Sequence, residues 1–212
     1  MSTPFCPICQ STSFLFTEDR FRKFFRCEFC ESIFVPSEYW PDAKAEKARY
    51  DEHQNDVNDA GYQLFVRPII EAITSHFTKH HRGLDYGAGP GPVVTKLLRD
   101  LDYSIDLYDP FYYNDKELLN FQYDYLVASE VVEHFHHPLE NFKKMKKLLL
   151  PGGKIFIFTH LYEDSIPFQN WYYKNDLTHV IFFTNKSMHY LAERLGFSKI
   201  TIDKRLIILS HS

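Results

Sequence analysis

Glycine is scarce in this chain, with 8 in 212 residues, and long apolar runs are missing. No stretch approaches the roughly 20 apolar residues that span a bilayer, and the first ten residues place no basic flank before an apolar segment. We therefore expect a cytoplasmic protein that contacts no membrane. The formal net charge is only -4, so no overall field attracts nucleic acid. With 44% hydrophobic residues, the chain can bury the core of one domain with a small appendage.

Cysteine does not occur after residue 30. The four cysteines form two C-x-x-C pairs separated by the 17 residues 10–26, Cys6 with Cys9 and Cys27 with Cys30. This spacing is typical of a tetrathiolate zinc site, and Zn²⁺ stabilises segments that are too small to fold by burial alone. We predict a zinc ribbon over residues 1–35, in which residues 11–26 alternate between apolar and polar as a hairpin does. Disulfide bonds or free thiols are the alternatives to zinc.

The predicted hairpin contains a basic and aromatic stretch, RFRKFFR, at residues 20–26. Aromatic rings that stack and cations that pair with phosphate suit single-stranded nucleic acid, so an RNA platform is one hypothesis for the ribbon. Four acids balance the four cations of this region: Arg20, Arg22, Lys23 and Arg26 against Glu18, Asp19, Glu28 and Glu31. A structural clip is therefore the favoured interpretation, because phosphate binding needs an excess of positive charge.

Residues 36–61 are polar and contain Pro36 and Pro41, with a helix predicted through DAKAEKARYDEHQ. We interpret them as a helical connector and lid. The third predicted unit, residues 62–212, opens with a helix over residues 62–81 that Gly83 ends. Pro68 is expected either at a kink of this helix or in its first turn.

After Gly83, short apolar strands alternate with helical stretches. The strands are GLDYG, SIDLYD, YDYLVAS and GKIFIFTH, and the helices are PVVTKLLRDL, NFKKMKKLLL and SMHYLAERLGF. Near-continuous apolar strands that alternate with helices predict an α/β fold with a parallel sheet covered on both faces. The tail SKITIDKRLIILSHS holds two strands close in sequence, which predicts antiparallel pairing at one end of the sheet.

Three of the glycines stand at alternate positions in LDYGAGPGPVV, between the first strand of this unit and its helix. Such a turn lets the backbone pass close to a ligand. A dinucleotide fingerprint would need a further glycine where Pro92 stands. With Asp109 ending the second strand, SEVVEHF after the third and LLLPGGKIFIFT before the next, the chain resembles class I S-adenosylmethionine-dependent methyltransferases. RYDEHQNDVNDAGY, LYDPF and WYYKNDLTHV are similar to an uncharacterised bacterial group of them.

The resemblance implies a Rossmann-like fold and a cofactor site at the ends of the first strands. The residues that it implies as contacts of S-adenosylmethionine are Asp85, Tyr86, Gly87, Ala88, Gly89, Gly91, Asp109, Ser129 and Glu130. Asp85 would help to hold the glycine turn and Asp109 would accept from the ribose hydroxyls, while turn or capping roles are the alternatives. Only residues 110–122 separate Asp109 from the next strand, so the family's usual helix, strand and adenine contact are not assigned here.

The stretch SEVVEHFHHP places Glu130, Glu133 and His134 on one face if it is helical. Together with His179, this pattern resembles the Mg²⁺ or Mn²⁺ site of ubiquinone-pathway O-methyltransferases and small-RNA 2′-O-methyltransferases. Such an ion would lower the pKa of an acceptor hydroxyl and orient it. The interpretation without metal makes Glu130 line the cofactor pocket and makes His134 or His179 the general base.

The segment PFQNWYYKNDLTHVIFF follows a strand end and so opens on the cofactor's side of the sheet. We predict that Trp171, Tyr172 and Tyr173 form an aromatic wall for a planar acceptor or pack within the loop. Asp176 is predicted to orient His179 through a hydrogen bond. The favoured function is methyl transfer to an oxygen or nitrogen of a small molecule. An RNA methyltransferase and a non-catalytic cofactor-binding adaptor are the alternatives, and the oligomeric state is open.

Overall fold

The computed structural model describes residues 3–52 and 56–212, which form two sheets and five α-helices. In chain order the elements are β1 (Ser13–Glu18), β2 (Lys23–Cys27), β3 (Ile33–Phe34), α1 (Ala43–Asp51), α2 (Ala60–His76), β4 (Arg82–Tyr86), α3 (Val93–Asp100), β5 (Ser104–Tyr108), β6 (Tyr123–Ser129), α4 (Pro138–Lys147), β7 (Leu149–Phe158), β8 (Ile181–Phe182), α5 (Asn185–Arg194), β9 (Lys199–Asp203) and β10 (Leu206–Ser210). Within the described ranges, no helix has the length and hydrophobicity that a membrane crossing requires.

The larger sheet has the strand order β5-β4-β6-β7-β10-β9. Strands β5, β4, β6 and β7 are parallel to one another, and β10 runs antiparallel to both β7 and β9. The predicted α/β fold with a mostly parallel sheet and an antiparallel end is therefore confirmed. The connections between strands of this sheet follow a general rule: parallel neighbouring strands need a long crossover, whereas a few residues suffice to join antiparallel strands.

Both faces of the larger sheet are covered by helices. On one face, Tyr125 and Val127 of β6 pack in a cluster with the apolar residues of α2 and α3. On the other face, Leu126 and Ala128 pack in a cluster with those of α4 and α5. Because successive side chains of a strand point to opposite faces, burial on both faces requires the continuous apolar run that the sequence shows.

The region between β5 and β6 is short, as the sequence indicates. It contains one 3-10 helix, Lys116–Asn120, and β5 forms the edge of the sheet. A further strand with its crossover helix needs more than these residues supply.

Two helix boundaries differ from the predictions. The prediction that α2 continues to Gly83 is wrong, because Phe77 has extended backbone (φ -129°, ψ 159°) and Gly83 lies inside β4. The ring of Phe77 stacks on the ring of Tyr125. A Cβ at Gly83 would lie 2.2 Å from that same tyrosine ring. Pro68 lies in the helix interior, not in its first turn, since α2 begins after the capping residue Asp59.

The helix predicted over residues 141–150 is shifted toward the N-terminus. It begins at Pro138, whose fixed φ suits the first turn, and it ends at Lys147. Leu149 instead opens β7, where it pairs with Tyr123 of β6. Strand pairing next to a buried neighbour therefore overrides the helical preference of the leucines. The predicted connector helix is α1, and residues 53 and 54 of that prediction lie outside the described residues.

The smaller sheet has the order β1-β2-β3-β8, with all pairs antiparallel. Strands β1 and β2 form the hairpin that the alternation indicates. Strand β8 comes from the C-terminal half of the chain, where Phe182 packs with Phe24 and Phe168. The N-terminal segment therefore shares a core with the segment that contains His179. The boundaries 1–35, 36–61 and 62–212 stay predictions.

Candidate functional site

A cavity of about 1030 Å³ opens at the carboxyl ends of β4, β5 and β6. The turns that follow these strands line it, together with α1 and the loop that contains His179. In open α/β sheets, ligands bind at this end of the strands. The predicted cofactor-contact residues Asp85, Tyr86, Gly87, Ala88, Gly89, Gly91, Asp109, Ser129 and Glu130 all line this cavity.

The glycine turn after β4 contains two residues in left-handed conformation, Gly87 (φ 87°) and Gly89 (φ 63°). A Cβ at Gly87 would lie 2.7 Å from the side chain of Val131, so this glycine allows close packing within the protein. A Cβ at Gly89 would meet nothing within 4 Å. The Gly91 carbonyl accepts from the Val93 amide at the start of α3. The turn therefore exposes backbone to the cavity at Gly89.

Asp85 is buried at the end of β4 and points toward α3. Its Oδ2 accepts a hydrogen bond from the Thr95 hydroxyl at 2.8 Å. Burial raises the pKa of Asp85 to about 6, although this hydrogen bond acts against the rise. The contact ties the first turn of α3 to β4, which is consistent with the predicted support of the glycine turn.

Asp109 joins the turns that follow β4 and β5. Its Oδ2 accepts from the Gly89 amide at 3.0 Å, and its Oδ1 accepts from the amides of Phe111 (2.8 Å) and Tyr112 (3.1 Å). This is the turn role that the alternative interpretation describes. An ionised carboxylate offers about four acceptor sites. Asp109 can therefore also accept from a ligand hydroxyl in the cavity.

Glu130 follows β6 in a left-handed conformation (φ 53°) that is uncommon for a residue with a side chain. Its amide donates to the Phe158 carbonyl at 2.7 Å, and its carboxylate lies 3.6 Å from the Arg205 guanidinium. Burial, reinforced by the nearby Glu133, raises the pKa of Glu130 to about 8. The side chain is thus poised between an acid and a carboxylate near neutral pH.

Glu133, His134 and His179 come together beside the cavity, which the two histidines line, while Glu133 is fully buried. One ligand atom of each lies within 4.8 Å of the other two. The helical face predicted for residues 130–134 is wrong, because only Val132–His134 is helical and it forms a single 3-10 turn. Glu130 lies outside this group of three and faces Arg205 instead.

The two imidazole rings are held in one orientation by backbone carbonyls. Nδ1 of His134 lies 3.1 Å from the Thr178 carbonyl, and Nδ1 of His179 lies 2.7 Å from the Tyr173 carbonyl. Because a carbonyl only accepts, each Nδ1 carries a proton, so the lone pair of a neutral ring lies on Nε2. Burial holds the pKa of His179 well below its usual range, so this ring is neutral at pH 7.

Glu133 is fully buried, and both of its carboxylate oxygens are hydrogen-bonded. The Thr159 hydroxyl donates to Oε2 at 3.0 Å, and the Tyr173 hydroxyl donates to Oε1. Tyr173 and Tyr172 line the cavity, whereas Trp171 packs against Phe168 and Phe182. Of the three residues predicted for an aromatic wall, Tyr172 and Tyr173 therefore line the cavity and Trp171 does not.

Asp176 connects the His179 loop to α1. Its Oδ2 accepts from Nε of Arg49 at 3.0 Å, and its Oδ1 accepts from the amide and hydroxyl of Thr178. Although burial acts to raise it, these contacts hold the pKa of Asp176 well below its usual range. The sequence predicts that Asp176 orients His179 through a hydrogen bond. At Nδ1 of His179, the observed partner is instead the carbonyl of Tyr173.

The cavity residues that the sequence predictions miss include Tyr50, Arg49 and Arg205. Tyr50 of α1 packs edge-on against the ring of His134, with centroids 5.2 Å apart, and Arg49 lies one residue earlier. Arg205 lies between β9 and β10, and its guanidinium is 5.5 Å from the Tyr173 ring centroid. No local pattern identifies these residues, because their partners are far away in sequence.

The four cysteines form a second cluster, in the N-terminal segment. Sγ of Cys6 lies 3.5 Å from that of Cys30, and Sγ of Cys9 lies 3.3 Å from that of Cys27. These separations are close to the roughly 3.8 Å between sulfurs that share a tetrahedral ion at about 2.3 Å. Backbone amides also point at the sulfurs, as from Ile8 to Cys6 and from Cys30 to Cys27. The arrangement fits the predicted zinc site.

Among solved structures, the chain is similar to 1,6-didemethyltoxoflavin-N1-methyltransferase of Burkholderia thailandensis, which was solved with bound 1,6-didemethyltoxoflavin and S-adenosylhomocysteine. The identity is 13% and the TM-score 0.56, over 86% of this chain and 96% of that one. An O-methyltransferase family protein from Burkholderia thailandensis has 14% identity and a TM-score of 0.52, over 82% of this chain and 61% of its own. PigF, solved with SAH, has 14% identity and a TM-score of 0.51, over 81% and 63%.

These identities show a shared fold alone, and the chain spans less than two thirds of the length of the last two proteins. No curated protein matches the chain. A family model described as "Methyltransferase domain" matches residues 49–202, which is most of the sequence. The chain therefore belongs to the methyltransferase domain family.

Proposed function

We propose that this protein transfers a methyl group from S-adenosylmethionine to an oxygen or nitrogen atom of a small-molecule acceptor. The observation that carries the proposal is one shared cavity, in which the open backbone at Gly89 and the residues His134 and His179 line the same space. Its volume of about 1030 Å³ is at the upper end for small-molecule sites, so it has room for a cofactor and an acceptor. Of the similar solved structures, one is an N1-methyltransferase and another is a protein of an O-methyltransferase family.

Bound S-adenosylmethionine would supply an electrophilic methyl group on its sulfonium. In our proposal the backbone from Gly87 to Gly91, with Tyr86 and Ala88, surrounds the methionine end. Asp109 accepts from the ribose hydroxyls, and Ser129 and Glu130 close the other side. The Oγ of Ser129 is buried and has no hydrogen-bond partner within the described residues, and Oε1 of Glu130 has only the Arg205 guanidinium nearby, at 3.6 Å. Buried polar atoms of this kind are usually satisfied by a ligand or by water.

The acceptor needs a group that takes its proton as the methyl group arrives. His134 and His179 both line the cavity with Nδ1 bonded to a backbone carbonyl, so Nε2 of each neutral ring is a candidate general base. His179 stays neutral at pH 7, because burial lowers its pKa. The tyrosines at positions 172 and 173 would orient a planar acceptor beside these rings.

Glu133, His134 and His179 also fit a divalent cation. Both histidines direct Nδ1 to a backbone carbonyl, which is the arrangement that orients metal-bound imidazoles. Two nitrogens and one carboxylate suit Mn²⁺ or Zn²⁺ better than Mg²⁺, which prefers oxygen ligands. Such an ion would hold an acceptor hydroxyl and lower its pKa. Metal-assisted transfer is therefore the alternative to a histidine base.

We further propose that Cys6, Cys9, Cys27 and Cys30 bind a structural Zn²⁺ in a ribbon of residues 1–35. In this proposal residues 36–61 form the connector and lid, and residues 62–212 form the methyltransferase domain. The contacts of α1 support the lid, because Arg49 contacts Asp176 and Tyr50 contacts His134, and all four residues line the cavity.

The test combines binding and turnover. Calorimetry with S-adenosylhomocysteine should show saturable binding to the wild-type protein. Transfer of tritiated methyl groups into fractions of cell extract should then occur, and it should survive RNase if the acceptor is a small molecule. EDTA separates metal-assisted transfer from a histidine base, and His179→Gln should reduce transfer while binding persists. An absence of binding heat would refute the proposal, and binding without turnover in any fraction would favour an adaptor.

A further inference from the structure

The Arg22 side chain, next to β2 in the cysteine-containing segment, is buried within the loop that contains His179. It is 3% exposed. Its Nη1 donates to the carbonyls of Leu177 (3.2 Å) and His179 (2.8 Å). Its Nη2 donates to the carbonyls of Asp176 (2.8 Å) and Lys174. One guanidinium therefore binds four carbonyls of the six residues 174–179, which we call the Arg22 contact.

The chemistry of arginine suits this position. The four carbonyls lie where the 3-10 helix Tyr172–Asn175 ends and before β8 begins, so they belong to a turn and not to a strand ladder. A buried carbonyl without a donor costs about 1–3 kcal/mol, and a guanidinium offers five N–H donors in a rigid fork. Burial lowers the pKa of Arg22 only to about 10, so the group stays charged at neutral pH.

Arg22 is itself held in place by the hairpin. The amide of Arg22 donates to Oδ1 of Asp19 at 2.9 Å, and Oδ2 of Asp19 lies 3.6 Å from Nζ of Lys174. The guanidinium lies 5.0 Å from the ring centroid of Phe24. The N-terminal hairpin thus presents a fixed cation to the loop, and the orientation of the loop follows the hairpin.

The Arg22 contact borders the hydrogen bond that orients His179. Nδ1 of His179 is bonded to the carbonyl of Tyr173, and Arg22 binds the carbonyls of Lys174 and of His179 itself. On the far side, the Val180 carbonyl accepts from Val35, and the Val180 amide donates to the Glu133 carbonyl. The backbone of His179 is therefore attached to the N-terminal segment on both sides.

We propose that Arg22 is a positioning residue for methyl transfer, because it fixes the place and the tautomer of the His179 ring through the backbone of residues 174–179. The inference rests on the proposed function, since His179 is a candidate base or metal ligand there. It gives the N-terminal segment a part in the active site beyond that of a clip. It also makes Arg22 unavailable for phosphate contacts, because the side chain is buried and both of its Nη atoms donate to carbonyls within the protein.

The test compares Arg22→Met and Arg22→Lys with Arg26→Met. Arg26 is a matched control, because it is a cation of the same strand region whose partners are the exposed side chains of Asp164 and Glu31. In ¹⁵N-labelled protein, the wild-type ring of His179 should show distinct signals for a protonated Nδ1 and an unprotonated Nε2. In Arg22→Met these two signals should move toward each other as the tautomers exchange. Arg22→Lys should give an intermediate shift, because lysine offers three donors without the fork.

Turnover and cofactor binding complete the experiment. Methyl transfer by Arg22→Met should fall by on the order of 100-fold, the loss expected when a catalytic group moves by about 1 Å. Affinity for S-adenosylhomocysteine should change less than twofold, because the glycine turn is not touched. Wild-type His179 signals in both Arg22 variants, or equal shifts in Arg26→Met, would overturn the inference. If wild-type protein fails to bind S-adenosylhomocysteine, the proposed function fails, while the His179 signals still decide the role of Arg22.

Discussion

Alanine substitutions at three glycines separate the two roles that we assign to the turn after β4. Gly87, Gly89 and Gly152 all have left-handed backbone, with φ of 87°, 63° and 80°. Each substitution to alanine should therefore cost about 1–2 kcal/mol in the free energy of unfolding, because a Cβ is disfavoured there. The surroundings of the three positions differ, and the difference predicts distinct outcomes.

At Gly87 the new methyl group would lie 2.7 Å from Val131, so it must also displace a side chain. Overpacking of this kind adds about 1–3 kcal/mol, which brings the expected destabilisation of Gly87→Ala to about 2–5 kcal/mol. At Gly89 and Gly152 a Cβ would meet nothing within 4 Å, so only the backbone cost applies. Gly89→Ala, however, places its methyl group in the cavity, whereas Gly152 lies outside it.

We expect Gly89→Ala to bind S-adenosylhomocysteine at least about tenfold more weakly, which corresponds to about 1.4 kcal/mol, because the methyl group occupies space that the ligand needs. Gly152→Ala is the control, with the same loss of stability and wild-type affinity. Urea unfolding measures the stabilities, and calorimetry measures the affinities. Wild-type affinity in Gly89→Ala would refute the assignment of this turn to the cofactor, and equal stabilities of Gly87→Ala and Gly89→Ala would refute the packing argument.

Three further predictions concern buried groups. Tyr173→Phe removes a donor from the buried Glu133 and should lower the free energy of unfolding by about 1.5–3 kcal/mol in urea, whereas exposed Tyr172→Phe should change it by less than about 0.5 kcal/mol. Because the pKa of Asp85 is raised to about 6, the folded protein holds this proton more tightly than the unfolded chain; stability should fall by about 2 kcal/mol between pH 4 and 6, and Asp85→Asn should lack that slope. Elemental analysis should find about one zinc per chain in the wild-type protein and none in Cys27→Ser. If a thiol reagent finds no reactive cysteines in the denatured protein, the cysteines form disulfides instead.

Secondary structure was predictable where one element dictated its own pattern. The sequence predicts strand β6 with its observed bounds, because a strand that is buried on both faces must form an unbroken apolar run. The short link after Asp109 was also readable, since its length excludes a further strand and crossover. Prediction failed at the ends of α2 and α4. Phe77 leaves the helix to stack on Tyr125, and Leu149 leaves it to pair with Tyr123. Both partners belong to β6, which is distant in sequence, so local helix propensity takes no account of them.

The candidate site was predictable in part for the same reason. The glycine turn, Asp109 and Glu130 each follow a strand directly, and parallel strands bring their carboxyl ends to one edge. The grouping of Glu133 with His134 and His179 follows a motif but not the helical geometry assumed for it, since residues 132–134 form a 3-10 turn. Residues contributed by α1 and by the β9–β10 turn had no sequence signal.

The order of residues alone determined the alternation of strands and helices, the parallel sheet and the spacing of the two C-x-x-C pairs, because these depend on local periodicity and spacing. Folding decided which side chains meet. Arg22 reaches the His179 carbonyl across 157 positions of sequence, and Thr159 reaches Glu133 across 26. Such contacts exist because buried carbonyls and carboxylates must find donors once water is excluded, and only the packed chain determines which donors are near.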